Sequence, residues 1–228
     1  MTPDNAEPIR SVSAAGRVWA IVGVLVALGW PLAGIFSATR NGSSLTSLRA
    51  GIHTIAAEWL VAAILAAIAF GLQRLRPRSF RIGGLGGLDL LSAFGALVAA
   101  LALSGIVSRL VAAPKLDLHR IASLPLGVRV GLVITAAICE EFIFRGFAIE
   151  ELGMLTGSRW FAALVSLAVF ALGHTGVYGF STALLIPASV GLVITLLYMF
   201  RKSLPACMLV HGGMDALFLL LVPALVRG

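Results

Sequence analysis

The sequence predicts an all-α fold, a polytopic membrane helix bundle of about seven transmembrane helices. Three observations carry this reading. The 228-residue chain is 59% hydrophobic. Only 12% of its residues are charged, about half the share usual in a soluble domain. Its apolar residues also gather into seven long runs, each near the ~20 residues needed to cross a hydrocarbon core. Lipid offers the backbone no hydrogen bonds, so these runs are expected to be helices and not open strands.

Residues 1–17 are polar and mixed in charge and read as an N-terminal tail; residues 18–228 read as a single transmembrane domain. The first run, 18–38, follows Arg17. It is longer than the ~7–15-residue core of a signal peptide, so it reads as an uncleaved first helix. Six more runs follow at 54–72, 88–111, 126–149, 159–178, 183–200 and 204–226. Pro205 and Pro223 fall near the ends of the last run, where proline is tolerated. The glycines Gly83, Gly84, Gly86 and Gly87 read as a flexible turn. They lack the Lys-Ser/Thr and the preceding strand of a phosphate loop. No internal repeat is apparent.

The formal charge of +7 sits largely in short connections. Arg74, Arg76, Arg78 and Arg81 fall in 73–87, and Arg201 and Lys202 fall in 201–203. An excess of basic residues marks cytoplasmic loops, which predicts an inside N-terminus and an outside C-terminus. Lys115 and Arg120 in 112–125 run against this assignment. No stretch interleaves basic and aromatic residues as a nucleic-acid surface would, so the expected partner is the lipid bilayer and no nucleic acid. The expected location is integral and multi-pass, in the plasma membrane if the chain is prokaryotic. Cys139 and Cys207 lie in apolar runs without a C-x-x-C pattern and read as small hydrophobic residues.

Ionisable groups inside membrane helices are costly unless they are paired or face water, and they mark functional positions. Three runs in the second half of the chain carry them in a pattern. The fourth holds Glu140-Glu141-Phe142-Ile143-Phe144-Arg145. Residues four apart share a helix face, so Glu141 and Arg145 should stack as an ion pair. Glu140 projects from a different face with no local partner, which suits a general base or acid. The fifth run ends in Phe170-Ala171-Leu172-Gly173-His174. The seventh holds His211-Gly212-Gly213-Met214-Asp215. Asp215 shares a face with His211 and is placed to hold its imidazole in one tautomer. Gly212 and Gly213 leave room for a backbone or a substrate to come close. Taken singly, each feature also reads as an ordinary helix–helix contact. The first three runs carry Glu58, Asp89 and Arg109 without a spaced pattern, with Glu58 a satellite of the set at most.

At these residues the chain resembles the CAAX-protease and bacteriocin-processing (Abi) family, whose motifs are E-E-x-x-x-R, F-x-x-x-H and H-x-x-x-N/D on successive transmembrane helices. Here they are Glu140, Glu141 and Arg145; Phe170 and His174; His211 and Asp215. Gly191 and the Ser203-Leu204 turn ahead of His211 also resemble the family's glycine-bearing helix. The resemblance spans about 120–220 and implies an intramembrane endopeptidase acting on a membrane-associated or prenylated peptide. It implies that Glu140 and His174 activate a water, that His211 and Asp215 sit at the developing oxyanion, and that Glu141 and Arg145 orient the site or bind substrate. The eukaryotic prenyl-protein peptidases of the family carry Asn where this chain has Asp215. An ionised Asp cannot donate to an oxyanion, so Asp215 is either protonated or orients His211.

No cofactor is expected, although two histidines and a carboxylate are also a zinc donor set; H-E-x-x-H is missing. Two other functions remain open at this level. Intramembrane Glu, His and Asp also build proton- or ion-coupled transporters. A non-catalytic membrane scaffold, such as a bacteriocin-immunity protein, could keep the same fold.

Overall fold

The structure, a computed structural model, describes residues 13–41, 47–75, 82–111 and 118–226. Most of the N-terminal tail, the arginines at 76, 78 and 81, and Lys115 fall outside the described residues. Among the described residues there is no strand. Helix α1 is Ala14–Asn41; α2 is Leu48–Leu72 and α3 is Gly87–Leu110. A short α4, Leu118–Ser123, lies within the connection that the sequence reads as a loop at 112–125. Helix α5 runs unbroken over 126–156. Helix α6 is Arg159–Gly173, followed after His174 by one turn at Thr175–Tyr178. Helices α7 (Leu185–Arg201) and α8 (Leu204–Leu225) complete the chain.

Six of these helices are long and apolar enough to cross a membrane. The seventh, α5, carries Arg129, Glu140, Glu141, Arg145, Glu150 and Glu151. The chain is thus an integral, multi-pass membrane protein built as a helix bundle. Its most charged helix lies at the centre, where α1, α2, α6 and α8 all pack against it. Helix α3 lies outside, along α7 and α8.

The structure moves some expected boundaries. Helix α2 begins at Leu48, six residues before the expected start at 54, because Ser47 caps it: Ser47 Oγ accepts from the Ala50 N–H at 3.1 Å. Helix α5 continues past 149 to Thr156 because its acidic residues find partners. Glu150 meets Arg159 at 2.5 Å and the Tyr198 hydroxyl at 2.8 Å. Glu151 accepts from Gln73 Nε2 at 3.0 Å. The turn geometry also differs, since Ala136–Ile149 is a π-helix with i→i+5 hydrogen bonds. Such stretches are seldom longer than one turn. Here every residue from Glu141 to Ile149 is buried, so packing on all sides sets the winding and local propensity does not. Glu141 and Arg145 still meet across the wider turn.

Polar contacts lace one end of the bundle. Gln73 Nε2 also donates to the Gly16 carbonyl at 3.2 Å, and Arg201 meets Asp89 at 2.8 Å. Asp89 Oδ2 accepts from the Gly86 N–H at 3.1 Å, which starts α3 out of the glycine-rich turn. These contacts put the start of α1 and the ends of both basic connections at the same end of the bundle.

Helices α2 and α5 run side by side in the same direction. A Cβ added at Gly51 would lie 2.9 Å from Val128 Cγ1, and one at Gly131 would lie 2.9 Å from Ile55 Cδ1. The missing side chains let the two backbones approach closely. One turn further on, Trp59 Nε1 donates to Thr135 Oγ1 at 3.0 Å. Side-chain hydrogen bonds between membrane helices contribute about 0.6 kcal/mol on average. Trp59→Phe should therefore lower stability by about that amount, and Thr135→Val should match it. Thermal unfolding in detergent checks this; a loss in one variant without the other would show that the bond is not what is lost.

Candidate active site

The site is built on α5. Glu141, wholly buried, accepts at Oε1 from two groups. Arg145 Nη1 lies 2.9 Å away and His211 Nδ1 2.7 Å away. Arg145, 1% exposed, also donates from Nη2 to the Gly191 carbonyl of α7 at 3.1 Å. One buried carboxylate thus ties α5 to α8, and its arginine ties α5 to α7. Removing one partner of such a buried pair costs several kcal/mol.

Phe170 of α6 is the platform beneath these groups. The Arg145 guanidinium carbon lies 4.5 Å from the centre of its ring. The His174 and His211 rings lie 4.8 and 5.8 Å away, and Phe144 meets it edge-on at 5.3 Å. A Cβ at Gly191 would lie 2.8 Å from this ring. Glycine at 191 therefore serves twice: it leaves space for Phe170 and exposes its carbonyl to Arg145.

His174 sits where α6 breaks. Its Nδ1 lies 2.9 Å from the Phe170 carbonyl oxygen, which can only accept. Nδ1 therefore carries the hydrogen, and in the neutral ring Nε2 keeps a free lone pair. His211 Nε2 lies 3.9 Å from Asp215 Oδ2, close enough for charge attraction and too far for a hydrogen bond. The group fixing the His211 ring is thus Glu141, 70 residues away in sequence, and not its helical neighbour Asp215.

Glu140 stands beside this network and forms no hydrogen bond among the described residues. It feels the charges of His211, Glu141 and Arg145. His174 in turn feels those of His211, Asp215 and Arg145. All six predicted positions on three helices therefore fall into one electrostatic cluster. Gly212 and Gly213 do not leave open space. A Cβ at Gly212 would lie 3.1 Å from Ala137 Cβ, and one at Gly213 3.3 Å from Leu97. They admit α5 and α3 of the chain itself.

Glu58 of α2 also belongs here: it feels the charges of Glu140, His211 and Asp215. Its sequence signal is the lone acid in the middle of an apolar run. Among the described residues, no three His, Cys, Asp or Glu groups are gathered as a metal ion would require. The histidine–carboxylate set is arranged instead as hydrogen-bonded and charge-coupled pairs.

Arg145→Leu strands the Glu141 carboxylate and the Gly191 carbonyl and should cost about 3–5 kcal/mol, read as the midpoint shift in denaturant unfolding in micelles. Gly191→Ala should cost about 1–3 kcal/mol by overpacking Phe170. An unchanged midpoint in either variant would mean that the contact concerned is not formed.

Residues 122–217 match the family model for type II CAAX prenyl endopeptidases, Rce1-like. The search of curated proteins and the search of solved structures each found no match. The matched segment runs from the end of α4 through most of α8 and contains Glu140, Glu141, Arg145, Phe170, His174, His211 and Asp215. With these residues gathered inside a membrane helix bundle, the segment 122–217 is similar to the type II CAAX prenyl endopeptidases.

Proposed function

We propose that the chain hydrolyses a peptide bond of a membrane-associated substrate through a water activated by Glu140 and His174, without a metal. A carboxylate with no hydrogen-bond partner among the described residues and, in the same cluster, an imidazole whose Nε2 lone pair is free are groups suited to this step. Glu140 takes a proton from the water as its oxygen bonds to the scissile carbonyl carbon. The carbonyl oxygen becomes an oxyanion, and electrostatic stabilisation at that point is commonly the largest catalytic contribution. His211 is the donor for it: with Nδ1 engaged by Glu141, a ring protonated on both nitrogens presents Nε2–H, and Asp215 lies 3.9 Å from that nitrogen. As the C–N bond breaks, the amine nitrogen receives the proton held by Glu140.

In this reading Glu141 and Arg145 position His211 and do not touch the substrate. Asp215 acts on His211 by its charge, so the departure from Asn does not require it to donate a hydrogen bond. The observation that supports the reading most directly is the Glu141 carboxylate bridging Arg145 and His211, because it fixes an imidazole beside an otherwise unengaged Glu140. The substrate class that fits is a peptide anchored in the bilayer, by a prenyl group or by its own apolar segment. The fitting location is the plasma membrane of a prokaryote.

The test uses the purified protein and Glu140→Gln in liposomes, with membrane-anchored and prenylated peptides and products read by mass spectrometry. The parent should cleave, and Glu140→Gln should be slower by about 100-fold or more. EDTA should leave the parent rate unchanged. Equal rates for parent and variant would remove Glu140 from the mechanism. Loss in EDTA with recovery in zinc would move the chemistry to a metal.

A further inference from the structure

Helix α2 presents one continuous stripe to the bundle: Gly51, Ile55, Glu58, Ala62, Leu65 and Ala69. The spacing alternates four and three residues, the signature of one helix face. Gly51, Ala62, Leu65 and Ala69 are buried, and Ile55 meets α5 at Gly131. Glu58 is the one charged residue of the stripe. It lies ten residues past Leu48, about 15 Å along the helix axis, far from either end of the span. Its Oε2 is buried and has no hydrogen-bond partner.

An unpaired carboxylate at such a position is expensive, and an apolar side chain would serve packing better. Slack in the structure does not account for it. The Gly51–Val128 and Gly131–Ile55 approaches and the Trp59–Thr135 hydrogen bond hold α2 in height and rotation against α5. Thr135 lies five residues, one π-turn, before Glu140. The carboxylate is thus held in place where α2 packs along α5, within the field of Glu140, His211 and Asp215.

We propose that Glu58 is a further catalytic residue, which binds the attacking water together with Glu140. This rests on the hydrolytic reading above and adds a residue outside the matched segment 122–217. The water donates one O–H to Glu58 and the other to Glu140, which turns an oxygen lone pair toward the scissile carbonyl. Glu140 accepts its proton as the C–O bond forms. That proton passes to the amine nitrogen as the C–N bond breaks. The remaining oxygen and hydrogen stay with the acyl product, and Glu58 ends as it began. A water bridging the two carboxylates also answers the unpartnered Oε2 of Glu58, since buried waters sit where polar groups lack protein partners.

The experiment compares the parent with Glu58→Leu, Glu58→Gln and Glu140→Gln in liposomes with the same peptides. Glu58→Leu removes the acceptor and should lower kcat by about 100-fold, with KM within about twofold, as expected when a transition-state interaction is lost. Glu58→Gln keeps one acceptor oxygen and should recover part of the rate. Parent kcat in Glu58→Leu, with activity lost in Glu140→Gln, overturns this inference and leaves the glutamate mechanism standing. Parent rates in both variants overturn both. A substrate-free arm uses infrared carboxyl bands during pH titration in micelles. The band lost in Glu140→Gln should titrate at a different pH in Glu58→Gln, where Glu141, Arg145, His174, His211 and Asp215 are unchanged. An identical midpoint in parent and Glu58→Gln shows that the two carboxyls share no water, and the inference fails.

Discussion

The Glu141 carboxylate is the contact on which the rest of the site depends. It is wholly buried and accepts from both Arg145 and His211. Both bonds are made at Oε1, while Oε2 is buried without a partner, and breaking either bond leaves a buried charge stranded. Three helices are therefore held in one arrangement: α5 through Glu141 itself, α8 through His211, and α7 through the reach of Arg145 to the Gly191 carbonyl. Phe170 adds the fourth, α6, by lying under the guanidinium and against both histidine rings.

This arrangement separates two tasks that share neighbouring residues. Glu141 is engaged in structure, and in the proposed mechanism Glu140 is the one left for chemistry. Adjacent residues on a helix cannot share a face, so one can be sealed in hydrogen bonds while the next projects away from them. The π-helical winding of Ala136–Ile149 does not disturb this division.

Much of the architecture was legible in the sequence because its signals are local. Hydropathy located the helices, although α2 starts six residues before and α5 ends seven residues after the expected bounds, and the four-residue spacing of Glu141 and Arg145 foretold their contact. What was hidden depends on distant parts of the chain. Asp215 looked like the natural holder of His211, yet the hydrogen-bonded partner is Glu141, which no spacing rule connects to it. The wide turn of α5 was hidden because burial on every side sets it. Gly191 showed as a glycine in a helix, but its two uses appear only once Phe170 and Arg145 are in place. Glu58 stood out as an isolated acid; its membership of the packing stripe of α2 becomes meaningful only when α5 is seen alongside.

The single ring of Phe170 has a consequence for how the site can vary. Arg145, His174 and His211 all contact the same ring, so a shift of that ring disturbs all three. Their contributions are therefore not separable quantities. Energies assigned to each from single substitutions would count the same disturbance more than once. The three side chains are better regarded as one mechanical unit, open to change together and resistant to change one at a time.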